Sequence, residues 1–198
     1  MLIKQLLKFF LLLLCASPAI GQTVIQGDSV FQGLQVGKST LNDVRRVMGN
    51  GYKKGEMIRR FHVKWSDDRP GSYQVVYGYT LAYKRAGVEF AIETENKPKD
   101  QQSITSIKFR SKASIVTSKG IYPSNTFADV INRYGPLDTA RSNRNIPYVY
   151  GWRIDRGQKT EKRYTIIQYT KGIRFVSYGS RNEAENLNIR RVDEIWLD

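Results

Sequence analysis

Cysteine and histidine are almost missing from this chain: 198 residues contain one of each, Cys15 and His62. Zinc sites built from several thiolates or imidazoles are excluded by count. A Ser-His-Asp relay would have to run through His62, and no Gly-x-Ser-x-Gly elbow accompanies it. His62 also alternates with Arg60 and Lys64, cations that disfavour an imidazolium beside them. Long apolar runs are absent as well. Phe9 to Ala16 is uninterrupted, yet a membrane span takes about 20 apolar residues. Acidic residues are few, 18 against 32 lysines and arginines. Prolines number only six, and none interrupts the interior of a stretch that reads as a strand.

The start of the chain has the order of a signal peptide. Lys4 and Lys8 precede the apolar stretch, Pro18 breaks it, and Ala19-Ile20-Gly21 places small residues where a signal peptidase needs them. The expected leader is residues 1–21, with cleavage before Gln22. Leu14, not a small residue, precedes Cys15, which disfavours lipidation there. Cleavage would remove the one cysteine, so the mature chain would have neither disulfide nor thiol and would rely on its core. The expected location is the periplasm or the exterior. Losing Lys4 and Lys8 leaves a net charge near +12, from +14 for the whole chain. Such charge favours anionic lipid headgroups, acidic glycans or acidic proteins; export makes nucleic acid an unlikely partner.

Internal similarity is visible at a spacing of 85 to 88 residues. GLQVGKSTLNDVRRVMG (33–49) parallels GIYPSNTFADVINRYG (120–135). YTLAYKRAGVEF (79–90) parallels YTIIQYTKGIRF (164–175). Ile104, Ile107 and Phe109 parallel Val192, Ile195 and Leu197. In the first block Thr40 reads as a helix N-cap, with Asp43 placed to reach back to the cap's amide. Leu41, Val44, Val47 and Met48 then share a helical face, as do Phe127, Val130, Ile131 and Tyr134. Gly49 and Gly135 suit the left-handed helix stop.

Alternation predicts strands over 57–65, 73–83, 87–94 and 103–110, and again over 147–154, 163–169, 172–178 and 190–197. Polar turn-forming segments separate them, and 111–119 reads as a linker in which Ile115-Val116 could add a short strand. The fold class expected is α+β: two tandem repeats, each a helix plus a four-stranded antiparallel sheet, forming one continuous curved sheet. The boundaries expected are 1–21, 22–112 and 113–198.

The residues Gly33, Gly37, Thr40, Val44 and Gly49, with Gly120, Thr126, Val130 and Gly135, resemble the entry motif of the SmpA/OmlA-like fold, that of the small lipoprotein of the barrel-assembly machinery. A tandem pair of such units is similar to the β-lactamase inhibitory protein. That resemblance implies a non-enzymatic binding module of the cell envelope. It carries no contact residue over to this chain, which lacks both a lipobox and the disulfides of the inhibitor.

Candidate sites follow from what remains. Gly37-Lys38-Ser39-Thr40 looks like the end of a phosphate-binding loop, but Gln32 stands where the motif needs its first glycine. It reads as a turn and a cap. Glu89 and Glu93 share a strand face about 13 Å apart, wider than a glycosidase pair. No catalytic residue, metal ligand or cofactor site is therefore assigned. Tyr73, Tyr77 and Tyr79 share strand parity, as do Tyr148, Tyr150 and Trp152, and an open sheet face of Tyr, Trp and Arg has the composition of a binding surface. Lys53, Lys54, Arg60 and Lys64 make the region after the first helix strongly basic. The functional expectation is an exported, non-enzymatic binding protein that offers the aromatic face to a protein or envelope component. The alternatives are an accessory protein that holds an anionic lipid or acidic polysaccharide on the basic patch, and a hydrolase using carboxylates. N-terminal sequencing of the exported protein should begin at Gln22; a start at Cys15 would overturn the cysteine-free mature chain.

Overall fold

The computed structural model describes residues 22–27, 29–64, 70–94, 98, 102–136, 148–154, 161–170, 172–178 and 189–198. The expected leader lies outside these residues. The described chain is mostly strand, with two short helices, α1 (Leu41–Met48) and α2 (Phe127–Tyr134). A small mixed sheet has the order β3-β2-β1-β8, from β1 (Thr23–Gln26), β2 (Val30–Phe31), β3 (Leu34–Gln35) and β8 (Ile115–Thr117). A large antiparallel sheet contains β4 (Lys53–Lys64), β5 (Pro70–Tyr83), β6 (Val88–Glu93) and β7 (Ile104–Arg110). It continues with β9 (Tyr148–Ile154), β10 (Glu161–Thr170), β11 (Ile173–Tyr178) and β12 (Glu194–Leu197). Its spatial order is β4-β5-β6-β7-β12-β11-β10-β9.

The expectation of two helix-plus-four-stranded repeats is corrected by this arrangement. The chain is a mostly β protein of two sheets. The reason lies in a segment to which the expectation gave no strand: Thr23, Val24 and Ile25 pair in parallel with Ile115, Val116 and Thr117, of which only Ile115-Val116 was expected as a short strand. Parallel pairing between segments so far apart in sequence carries no local signature. Each helix is only eight residues long, too short to form a layer of its own.

A single apolar core fills the space between the sheets. Phe90, Phe109, Phe127 and Phe175 are fully buried in it, and Val44 and Val130 are buried beneath α1 and α2. Phe31 of the small sheet meets Phe109 of the large one edge-on, with centroids 4.8 Å apart. Val47, expected on the apolar face of α1, is instead 39% exposed.

Both helices begin with the same device. The Thr40 amide donates to Asp43 Oδ2 at 2.9 Å, and the Asp43 amide donates to Thr40 Oγ1 at 3.5 Å. Thr126 and Asp129 repeat the exchange at 2.8 and 3.2 Å. Main-chain bonds also tie the caps to β7 and to the segment before β12, Ile104 N–H to Ser39 C=O and Phe127 N–H to Arg190 C=O, both 2.7 Å. Gly49 and Gly135 end the helices at φ of 76° and 105°.

The cap amides hold the Asp43 and Asp129 carboxyls below the ordinary carboxylate range, with the threonine hydroxyls adding to the effect. A lowered carboxylate stabilises the folded state above its unfolded pKa, and the contribution disappears as pH falls through the folded value. Asp129→Ala, which removes the carboxylate that accepts from the cap amide, should therefore cost about 1 kcal/mol at neutral pH. Its stability deficit should shrink on acidification below pH about 4, where the wild type loses the same interaction. A deficit that stays constant from neutral pH to strong acid, followed by chemical denaturation, would refute the capping account.

Candidate functional site

A wide cleft of about 990 Å³ lies between α1 and the β4–β5 pair. Its walls are Arg45 from α1, Tyr52 just before β4, Lys54 and Glu56 from β4, and Val76 and Tyr79 from β5. Strand alternation explains the set. Lys54 pairs with Leu81 and Glu56 with Tyr79, so these four stand on the face of the sheet that α1 covers. The cleft exists because a two-turn helix cannot reach over the whole width of a 14-residue strand.

Its side chains are held by cations set against tyrosine rings. The Lys54 ammonium lies 4.4 Å from the Tyr79 ring centroid. The Arg45 guanidinium donates to Tyr52 Oη at 2.8 and 3.2 Å. Tyr52 leans on Tyr83 with centroids 5.7 Å apart, and Tyr83 Oη donates to the Gly49 carbonyl at 2.6 Å. The end of α1 is thereby fastened to the sheet beside the cleft. Burial pushes the Tyr79 and Tyr83 hydroxyl pKa values up, against the pull of Arg45. Both rings are neutral donors at physiological pH. Val76, 52% exposed, is the apolar side chain the cleft leaves open.

The expected aromatic set does not form one surface. The pairing of β4 with β5 shifts between Met57 and Ile58, which oppose Gly78 and Val76, so Tyr77 is the extra residue of a β-bulge. Tyr79 packs on the helix side. Tyr77 instead lies under the Arg59 guanidinium at 4.7 Å, and Tyr73, 49% exposed, stacks on Phe61 at 5.1 Å. Arg59 and Phe61 have the opposite parity to Lys54, which puts Tyr73 and Tyr77 on the far face. Strand parity fails as a guide because one inserted residue reverses it.

Tyr148, Tyr150 and Trp152 lie in β9, opposite Ile167, Thr165 and Arg163 of β10; their side chains lie outside the described residues. Among the expected basic residues, Lys53 faces away from Lys54 and Arg60, since β4 alternates without interruption. The side chains of Lys64 and His62 lie outside the described residues. The Glu89 carboxylate is paired with the Arg110 guanidinium at 3.3 Å. Among the described residues no group of three or more His, Cys, Asp or Glu side chains could hold a metal ion. No helix among them is long and apolar enough to cross a membrane.

Sequence reasoning missed Arg45, Tyr52 and Val76. Arg45 stands one turn after Leu41, which puts it beside that residue on the helix surface. Tyr52 shares the parity of Lys54, two residues on, and that signal was available. No family model, no curated protein and no solved structure matches the chain.

The bulge depends on Gly78. A Cβ there would collide with the Ile92 carbonyl oxygen and press on Met57 Sδ at 3.2 Å. Gly78→Ala should destabilise the fold by about 1–3 kcal/mol, the usual cost of overpacking. It should also disturb the Tyr73–Phe61 stack, visible as a changed near-ultraviolet circular dichroism signal before any unfolding. An unchanged melting temperature and spectrum would show that the bulge does not need glycine.

Proposed function

We propose that this chain is an exported, non-enzymatic binding protein of the cell envelope, and that the cleft between α1 and the β4–β5 pair takes a protein or envelope component. The observation that carries this reading is the composition and order of the cleft. Tyrosine and arginine are the residues that dominate binding hot spots, because they bury large area at low entropic cost. Here Tyr52 and Tyr79 are already held by Arg45 and Lys54. A partner would find them preorganised and would not need to order them. Exposed Val76 supplies an apolar contact in the same space. A partner with an acidic group beside an apolar one matches Arg45 and Lys54 on one hand and Val76 on the other.

The reading is tested by capture from native envelope extract with the mature chain, at low and high salt. A partner seated in the cleft should survive high salt, since an aromatic-centred interface is weakly screened. Val76→Asp should remove it, with a loss of about 2 kcal/mol or more, roughly thirtyfold in Kd. Val76 is exposed, so the variant should fold with an unchanged melting temperature. Capture that Val76→Asp leaves intact would rule out the cleft.

A further inference from the structure

The opposite face of the same strands has a second hollow, of about 440 Å³. Its floor is small: Gly55, Thr80 and Ala82. Gly55 has no room for a side chain, since a Cβ would stand 2.9 Å from Thr80 Oγ1. Its rim is cationic. Lys53 comes from the start of β4, Lys84 from the β5–β6 turn, and Arg110 and Lys112 from the end of β7 and the turn beyond it. Lys54 also borders the hollow, although its ammonium is on the other face, over Tyr79.

Two turns are locked together to make this rim. The Arg110 amide donates to the Gly87 carbonyl at 2.9 Å, and the Gly87 amide to the Tyr83 carbonyl at 3.0 Å. Gly87 has φ +71, and a Cβ there would stand 2.8 Å from Lys112 Cγ. The glycine therefore lets the Lys112 stem lie directly against the β5–β6 turn. The position of Lys112 beside the hollow is a product of backbone geometry and does not depend on chance placement of a long side chain.

The charges on this rim do not cancel. Glu89 is the one carboxylate lining the hollow, and Arg110 pairs with it at 3.3 Å while also standing 4.0 Å from Glu194. Among the described residues Lys53, Lys84 and Lys112 make no ion pair. Three like charges around one small space repel one another, a cost that a single carboxylate ligand would offset only in part. Lysine ammoniums are compact point charges that suit phosphate oxygens without requiring a planar partner.

We infer that this hollow is a binding site for a ligand carrying two or more linked phosphate groups, with Lys53, Lys84 and Lys112 as its cationic contacts. The site is separate from the cleft beneath α1 and does not depend on it. Two sources share the chemistry, the phosphates of a lipid headgroup and a free polyphosphate.

Calorimetric titration with tripolyphosphate and with orthophosphate tests the inference. The wild type should bind tripolyphosphate, and orthophosphate more weakly. The triple variant Lys53→Gln, Lys84→Gln, Lys112→Gln should lose about tenfold or more in affinity. All three side chains are exposed, so the melting temperature should not move. A charge-matched control, Lys38→Gln with Arg133→Gln and Arg191→Gln, should bind as the wild type does. Phosphatidylcholine vesicles containing cardiolipin then distinguish the sources. Co-sedimentation lost in the triple variant alone assigns a lipid headgroup, and tripolyphosphate binding without co-sedimentation assigns a soluble ligand. Absence of tripolyphosphate binding by the wild type, or equal losses in the triple variant and the control, would overturn the site.

Discussion

The pairing of β7 with β12 holds the large sheet together. Four residue pairs, from Ile107 against Leu197 to Arg110 against Glu194, join β4–β7 to β9–β11. Without them, β7 would be a free edge and Phe109 and Ile195, now fully buried opposite one another, would lose their cover. The chain must bring residues 194–197 back beside residues 107–110 to make the joint. Contacts this distant in sequence are entropically expensive to close and slow to form. The core rewards the closure, since the same registration places Phe90, Phe109, Phe175 and Leu197 in one cluster with Phe127 of α2.

The small sheet has a related task. β1 and β8 come from either side of the β4–β7 segment and pair in parallel. Phe31 then reaches Phe109, and Ile25, Leu34 and Ile115 enter the same core. The helices occupy what is left of that face. Being short, they depend on their caps and on the main-chain bonds from Ile104 and Phe127 that tie those caps to the sheet and its flank. The cleft is the consequence: α1 is anchored at its start through Ser39 and at its end through Gly49 and Tyr83, and beyond those anchors β4 and β5 extend uncovered.

Local features of this fold were legible in the sequence, and non-local ones were not. Thr40, Asp43 and Gly49 announce a helix whose start, capping box and stop all appear as read, because each depends on neighbours within a few residues. Alternation located the long strands for the same reason. The parallel contact of β1 with β8 leaves no such trace, and missing it made the chain look like two tandem repeats of a helix and four strands. The tyrosines show a subtler failure. Tyr73, Tyr77 and Tyr79 are spaced at even intervals, and only the insertion at Tyr77 separates them. Gly78 was the available hint, since glycine within a strand often marks a bulge.

The uncovered length of β4 and β5 gives the protein two chemically different surfaces from one strand pair. Even-numbered residues of β4 supply Lys54 and Glu56 to the cleft, where aromatic rings neutralise part of the cationic field. Odd-numbered residues supply Lys53 and Gly55 to the far hollow, where Glu89 is the one carboxylate of the lining and no ring is set against the Lys53, Lys84 or Lys112 ammonium among the described residues. A cation resting on a ring is partly desolvated and fixed, which suits a contact that depends on shape. A cation on an open rim keeps its water and responds to net charge and salt. The period of two in β-structure thus divides one basic segment into a preorganised surface and an electrostatic one. Excess positive charge in the sequence accordingly does not identify a single patch, since the period of two assigns each lysine of β4 to one face or the other.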